Sequence, residues 1–334
     1  MKSLTLTKLG DAASSFKLED RPVPTAQQNE VLIHIRAIGL NHAELSTRLG
    51  EPNPMGPVPL PRTLGIECVG LVSAAPGCED EFPSGSIVIA ALGGLGRERE
   101  GTYAEFCVAP KENCIVVAAS EGEVGLSWEV LGAVPVMLQT AWGCLFRSLK
   151  VVEGDALLVR GAGSGVGMAA IGLAKGAGAT VVASTRAEAK MEVLFDAGAD
   201  HVVVDDGKLQ EKIQAHFPKG VDKALDLVGA VTAPDSIRCL ADGGVCCSAG
   251  TLGGSWSIPN FVPNFMLPIG RYLTSYGERT FTGKNTPWSE VLGSLRDGKV
   301  KIKMGRVFRG VESIVEAHEV MERNEAGGKV VVLV

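Results

Sequence analysis

Four glycines fall within seven positions in LLVRGAGSGVGMAAIGLAK, residues 157–175, between an apolar run and a stretch with helical spacing. A turn so poor in side chains serves either tight packing or a ligand that must touch backbone. Where such a turn opens a helix, the first N–H groups have no intrahelical acceptor and the helix dipole adds positive charge, which suits a pyrophosphate. The series G161-x-G163-S164-G165-x-G167 is a close variant of the dinucleotide pattern G-x-G-x-x-G, departing from it because residue 166 is valine. Its candidate contacts are Gly163, Ser164, Gly165, Val166 and Gly167.

A second stretch bears on which dinucleotide. NAD sites usually place Asp or Glu at the end of the second strand, for the ribose 2′-hydroxyl. Here that position reads ASTRAEAK, with Ser184, Thr185, Arg186 and, one helical turn on, Lys190. Two cations and no acid fit a 2′-phosphate, and hence NADPH. The competing reading makes Arg186 and Lys190 ordinary solvated residues. Gly250 and Thr251, just after the strand VCCSA, fall at the carboxyl end of the same expected sheet, where a nicotinamide would lie.

These groups need a scaffold, and the pattern supplies one. From Leu157 onward short apolar runs (ALLV, GATVVAST, HVVV, VDKALDLV, GVCCSAG) alternate with helix-like segments, which predicts a parallel sheet covered on both faces. The face Ala169, Gly172, Leu173, Gly176 has helical spacing and is nearly all small, so that helix is expected to press closely on the sheet. The first 120 or so residues differ. Runs such as EVLIHIRAIGL, CVGLVSAA, GSIVIAAL and TYAEFCVA, punctuated by Pro, Gly and Asn, predict a mostly antiparallel β domain. The tail predicts helix, strand, helix and a last strand, KVVVLV. A closing strand needs a sheet to join, so the tail is expected to return to the first domain.

Bulk properties bound the function. A chain of 334 residues with net charge −6 and no Lys/Arg-rich block excludes nucleic acid and anionic membrane as expected partners. The most apolar window, VLGAVPVMLQTAWGCLF, is too short and broken for a membrane span, and MKSLTLTKLGD lacks the apolar core of a signal peptide. Eight cysteines without a C-x-x-C pair or a histidine at ligand spacing read as buried free thiols, which fits a reducing, cytoplasmic compartment.

The glycine turn, the ASTR strand end, GLNHAEL…TLGIECVG, GTYAEFCVAP and the closing AHEVMERNEAGGKVVV together resemble the medium-chain dehydrogenase/reductase superfamily over essentially the whole chain. The resemblance implies an α/β fold: a GroES-like β-rich catalytic domain from both termini (1–124 and 278–334) with an inserted Rossmann doubly wound parallel sheet domain (125–277). Substrate and nicotinamide are expected between the two. Zinc members carry Cys or Asp in the place of Asn41, a His-Glu pair in that of Ile66-Glu67, and a third ligand near Val136. Asn, Ile and Val do not make a zinc site, and no four-cysteine lobe is present. No metal is therefore expected, and the chain resembles the zinc-free quinone oxidoreductase and enoyl reductase branch.

In that branch hydride adds to a quinone or an α,β-unsaturated carbonyl, and the developing oxyanion needs only hydrogen-bond donors and a proton. The resemblance assigns Asn41 as a donor beside nicotinamide or carbonyl, Thr140 as a nicotinamide contact, Arg48 as a frequently basic active-site position, and His42 as a pyrophosphate contact. Each has a plainer alternative: a turn asparagine, helix packing, a lone surface arginine, a solvated loop histidine. Ser46 stands where quinone reductases often carry tyrosine, and Tyr103 reads as a core strand residue rather than its substitute. The expected activity is NADPH-dependent reduction of a small apolar or conjugated carbonyl or quinone by a homodimer. The alternatives are an enoyl reductase acting on a polyketide-type or carrier-bound intermediate, a low-turnover NADPH sensor, and a zinc alcohol dehydrogenase. Trp256, Phe261, Phe265 and Tyr272, in a loop after the last recognised strand, fit either an apolar ligand or a dimer interface.

Overall fold

The computed structural model describes residues 1–277 and 285–334, and these divide into two compact units. The first unit holds Met1–Val136, residues 285–292 and Lys303–Val334; the second holds residues 137–277 and Gly293–Ile302. The expected division at 124/125 thus falls earlier than the one found, because the helix Trp128–Ala133 packs on the first unit, where a Cβ on Gly132 would meet Ala37 and Val331. The other expected boundary begins at residue 278, which lies outside the described residues.

In the first unit the chain forms β1 (Lys2–Leu6), β2 (Phe16–Asp20), β3 (Glu30–Gly39), β4 (Arg62–Thr63), β5 (Glu67–Ala74), β6 (Ile87–Ala91), β7 (Phe106–Pro110) and β8 (Cys114–Ala118). Val31, Ile33 and Ile35 of β3 are fully buried and alternate with partly exposed residues, the period of a strand with one face on a core. The sequence pattern did not reveal the helix His42–Leu49 that follows β3, whose apolar positions are few.

The second unit contributes β9 (Ala156–Arg160), β10 (Thr180–Thr185), β11 (His201–Val204), β12 (Val221–Asp226), β13 (Leu240–Ser248) and β14 (Tyr272–Ser275). They form one parallel sheet in the order β11-β10-β9-β12-β13-β14. All five residues of β9 are buried, as a central strand covered on both faces requires. Its Arg160 is the polar exception, and Asp205, Asp235 and the Ser236 hydroxyl take up its guanidinium. β14 lies in a stretch that reads as loop in the sequence, since four residues with two exposed aromatic or aliphatic side chains carry no period. The small helix face behaves differently from expectation. Gly172 is met by Lys299 and Val300 rather than by the sheet, and Gly176 faces open space.

The tail then adds β15 (Met304–Arg309) and β16 (Lys329–Leu333), and β16 pairs antiparallel with β3. The order β15-β16-β3-β5-β6-β8, with β7 also on β3, makes the expected return of the last strand a fact of the fold. All eight cysteines are free and buried. No helix among the described residues is long and apolar enough to cross a membrane.

A buried polar knot ties the tail to the amino-terminal half of this unit. Arg48 is completely buried, and its Nε–H donates to His318 Nδ1 at 3.3 Å. Its other nitrogens bond Glu322 Oε2 at 2.6 Å and the Gly10 carbonyl. With Nδ1 accepting, the neutral imidazole carries its proton on Nε2, which lies 2.9 Å from the Tyr103 hydroxyl. Arg48 is therefore corrected from an active-site cation to a structural anchor, since no part of it is open to a substrate. Tyr103 is a core residue as expected, although it sits in a bend just before β7.

Burial, reinforced by the Arg48 charge, pushes the His318 imidazole down from 6.5 to about 3. The unfolded chain then binds a proton that the folded one refuses between those two values. Stability is expected to be full above pH 6.5 and to fall progressively as pH drops toward 3. Urea titrations across this range should show that decline weakened in His318→Gln, which should also lose about 1–3 kcal/mol outright from its orphaned partners.

Candidate functional site

In the second unit the four-glycine turn separates packing from openness. Gly161 has φ +80°, a left-handed backbone that favours glycine. A Cβ on Gly167 would collide with the backbone of Gly161 and Ala162, so this glycine lets the helix Gly165–Gly176 start directly against the strand end. Gly163 has neither constraint. Its φ is ordinary, it is exposed, and its nearest neighbour in space is the Lys190 side chain, 3.8 Å from where a Cβ would stand. The absent side chain there leaves room above the turn.

Ser164 caps the helix: its Oγ accepts from Gly167 N–H at 3.1 Å and its hydroxyl donates to the Gly161 carbonyl at 2.8 Å. The next free backbone donors of the first turn are the N–H groups of Gly165 and Val166, which the helix itself cannot satisfy. The hydroxyl of Ser164 is thus spent on the turn, and what the turn offers a ligand is backbone. Room and free backbone donors fit a dinucleotide's diphosphate.

At the end of β10, Ser184 and Thr185 are buried, whereas Arg186 and Lys190 are exposed. Among the described residues neither cation has an ion-pair partner. Gly250 and Thr251 follow β13, and Gly250 lies so close to the backbone of Leu227 that a Cβ would overlap its carbonyl oxygen. Thr140 is partly exposed on the helix Pro135–Trp142, and Met137 of that helix reaches Gly165 of the turn. The preceding Gln139 is fully buried, and neither of its amide atoms has a hydrogen-bond partner among the described residues.

In the first unit Asn41 is the residue preceding the helix His42–Leu49, and His42 is exposed. The Asn41 carboxamide does not sit idle in a turn. Its Oδ1 accepts from Lys329 Nζ at 2.6 Å, and its Nδ2 donates to Glu67 Oε1 at 2.7 Å. Lys329 Nζ also lies 2.6 Å from that same Glu67 oxygen, in an ion pair whose side chains are 7 % and 0 % exposed. Glu67 Oε2 accepts from Val136 N–H at 2.7 Å. Gly39 makes this possible, because a Cβ there would overlap the Glu67 carboxylate.

Glu44 completes the cluster from below. Its two oxygens accept from the N–H groups of Asn41 and Ile66, at 3.0 and 3.2 Å. Desolvation, opposed by Lys329 and assisted by Glu67, pushes its carboxyl up to about 7. With Glu44 protonated, Lys329 and Glu67 balance one another's charge. Neither Lys329 nor Glu44 stood out in the sequence. GGKVVV reads as a strand and NHAEL carries no recognisable period, and only a fold that lays β16 beside β3 brings the lysine to Asn41.

The positions where the family resemblance places zinc ligands, Asn41, Ile66-Glu67 and Val136, hold no free set of metal donors. Both oxygens of Glu67 are committed, and Val136 contributes only a backbone N–H. Among the described residues no group of three or more His, Cys, Asp or Glu could hold a metal ion.

Two family models match the chain: the alcohol dehydrogenase GroES-like domain over residues 27–119 and the zinc-binding dehydrogenase model over residues 165–292. A probable quinone oxidoreductase from Leishmania amazonensis is 30% identical over 247 residues, covering 70% of each protein. A highly-reducing polyketide synthase from Aureobasidium melanogenum is 27% identical over 243 residues, and the matched part is 71% of this chain but only 10% of that protein. Among solved structures, an NAD-dependent alcohol dehydrogenase is 28% identical with a TM-score of 0.83, covering 100% of both chains. A mycobacterial protein complexed with NADPH is 25% identical, with the same TM-score and the same full coverage of both. The chain belongs to the medium-chain dehydrogenase/reductase superfamily, in its quinone oxidoreductase branch. It is an oxidoreductase of that family.

The turn yields a paired prediction. Gly167→Ala should destabilise the fold by about 1–3 kcal/mol, as overpacking does. Gly163→Ala should leave the thermal midpoint nearly unchanged yet weaken dinucleotide binding at least tenfold, read by tryptophan fluorescence titration. Equal losses of stability in both would show that packing accounts for the whole turn.

Proposed function

We propose that the protein reduces a quinone, or the activated C=C of an α,β-unsaturated carbonyl, with NADPH and without a metal ion. The observation that carries this reading is the ammonium of Lys329, which closes the cluster of Asn41 and Glu67 at positions where the family resemblance places zinc ligands. A site without a Lewis acid is suited to an acceptor already polarised by conjugation. Bound at the glycine turn, the cofactor supplies the hydride. The N–H groups of Gly165 and Val166, with Gly163 uncovered and His42 as a further contact, hold its diphosphate. Arg186 and Lys190 hold the 2′-phosphate, with Ser184 alongside. Thr140, Gly250 and Thr251 border the nicotinamide, and Asn41 donates to the acceptor oxygen as negative charge develops there.

Purified protein should consume NADPH with members of a panel of quinones, enals, enones and acyl thioesters, followed by absorbance at the cofactor's near-ultraviolet band. Turnover of none would remove the reading and leave a binding protein. Arg186→Glu should raise the KM for NADPH by about tenfold or more, the cost of losing a charged hydrogen bond and adding repulsion, while changing that for NADH little. A second reading, an enoyl reductase of a biosynthetic pathway, is favoured by the match to a segment of a polyketide synthase. Preference for acyl thioesters in the same panel would select it.

We also propose a homodimer. The strand β14 and the segment before it expose Phe265 at 90%, Ile269 at 95% and Tyr272 at 59%, a concentration of apolar surface beside a strand edge that is unpaired among the described residues and that a second copy would cover. Sedimentation should give a dimer that Phe265→Asp with Ile269→Asp dissociates; a monomeric parent would refute it. The eight free thiols support a reducing, cytoplasmic setting.

A further inference from the structure

The amide of Asn41 has two possible orientations, and only one of them can donate outward with its oxygen satisfied. In the observed one, Oδ1 faces the Lys329 ammonium and one Nδ2 hydrogen goes to Glu67 Oε1. Turning the carboxamide over would set its N–H₂ against the ammonium and its oxygen against the carboxylate. Two charge-assisted bonds would be exchanged for two repulsions, which holds the flipped population below roughly one in a hundred. Glu67 is itself unable to rotate away, since Val136 N–H holds its second oxygen and the space beside it exists only because residue 39 is glycine. The second hydrogen of Asn41 Nδ2 has no partner among the described residues, and Asn41 is partly exposed.

We propose that Lys329 is a positioning residue: its ammonium, acting with Glu67, locks the Asn41 carboxamide so that one N–H always points to an acceptor oxygen. The proposal rests on the reading of Asn41 as the donor in quinone or enone reduction. It adds a substrate requirement. The group facing Asn41 must accept a hydrogen bond, as a carbonyl or quinone oxygen does, and a group that can only donate, such as an ammonium, is not favoured there. It also gives the carboxyl-terminal strand a part in the chemistry, because Lys329 opens β16 and lies 288 residues from its amide partner.

The test removes the two charges together, by Lys329→Met with Glu67→Gln, so that no unpaired charge is left in the core. Protein labelled with ¹⁵N at asparagine reports the Asn41 side-chain amide directly, assigned by its loss in Asn41→Ala. The Nδ2 hydrogen that Glu67 Oε1 accepts should exchange with water slowly in the parent and at least tenfold faster in the double variant. Glu67→Gln alone, which retains the ammonium, should keep the amide slow. In turnover the double variant should lose kcat by about ten- to a hundredfold, with the Kd for NADPH within twofold of the parent, as expected for a mis-set oxyanion donor. Adding Asn41→Ala to the double variant should then cost less than about threefold more, because residues acting through one another do not add.

Unchanged amide exchange in the double variant would overturn the proposal, and so would losses that multiply fully with Asn41→Ala. If the double variant does not fold, faster exchange in Glu67→Gln alone would overturn the assignment of the lock to Lys329, and slow exchange there would uphold it. A parent protein that turns over no quinone or enone would sink the functional reading instead, and the exchange measurement would still decide whether the lock exists.

Discussion

The interaction on which this structure turns is the buried ion pair between Lys329 and Glu67, with the Asn41 carboxamide bridging the two. Taking both charges out of water is costly, and such a pair persists only when further hydrogen bonds satisfy what remains. Here every oxygen of the carboxylate is used, by an ammonium, an amide and a backbone N–H. Removing either partner alone would leave an unpaired charge in the core, at a cost of about 3–5 kcal/mol. The pair therefore constrains several elements at once: the start of β16, the start of β5, the turn after β3 and the entry to the helix Pro135–Trp142.

A second constraint acts in the parallel unit, where one short turn holds glycines that sterics or backbone require and one that neither requires. Gly167 and Gly161 answer to sterics and to backbone conformation. Gly163 answers to neither, and the space it leaves is flanked by Lys190. Ser164 shows the same economy, since its hydroxyl closes the turn on itself and so leaves the following two N–H groups as the ones open to a ligand. Packing, which a glycine-rich string cannot apportion, thus accounts for some of these seven residues and leaves Gly163 outside its reach.

Arg48 shows why residue type and position alone mislead about charged groups. A cation at a position that is basic in relatives invites an active-site role, and yet here it is wholly enclosed by His318, Glu322 and the Gly10 carbonyl. Those partners come from the far end of the chain and from its first turn, so no local pattern announces them. The knot and the Lys329 cluster both bind the returning carboxyl-terminal segment to the amino-terminal half of the first unit, one through a neutral histidine and the other through an ammonium.

Much was legible in the sequence because it depends on local period and local sterics. Alternating strands and helices announced the parallel unit, the last apolar run announced a strand seeking a sheet, and four glycines announced a tight turn from strand to helix. The brief edge strand β14 and the helix after β3 were not legible, because each has too few residues on a repeating face to stand out from its surroundings. Nor were Lys329, Glu44 and His318, whose roles consist of partners distant along the chain. Which charges are buried together is decided only when β16 lies against β3, since a buried ion needs its counter-ion within hydrogen-bond reach and only tertiary contact brings the two so close.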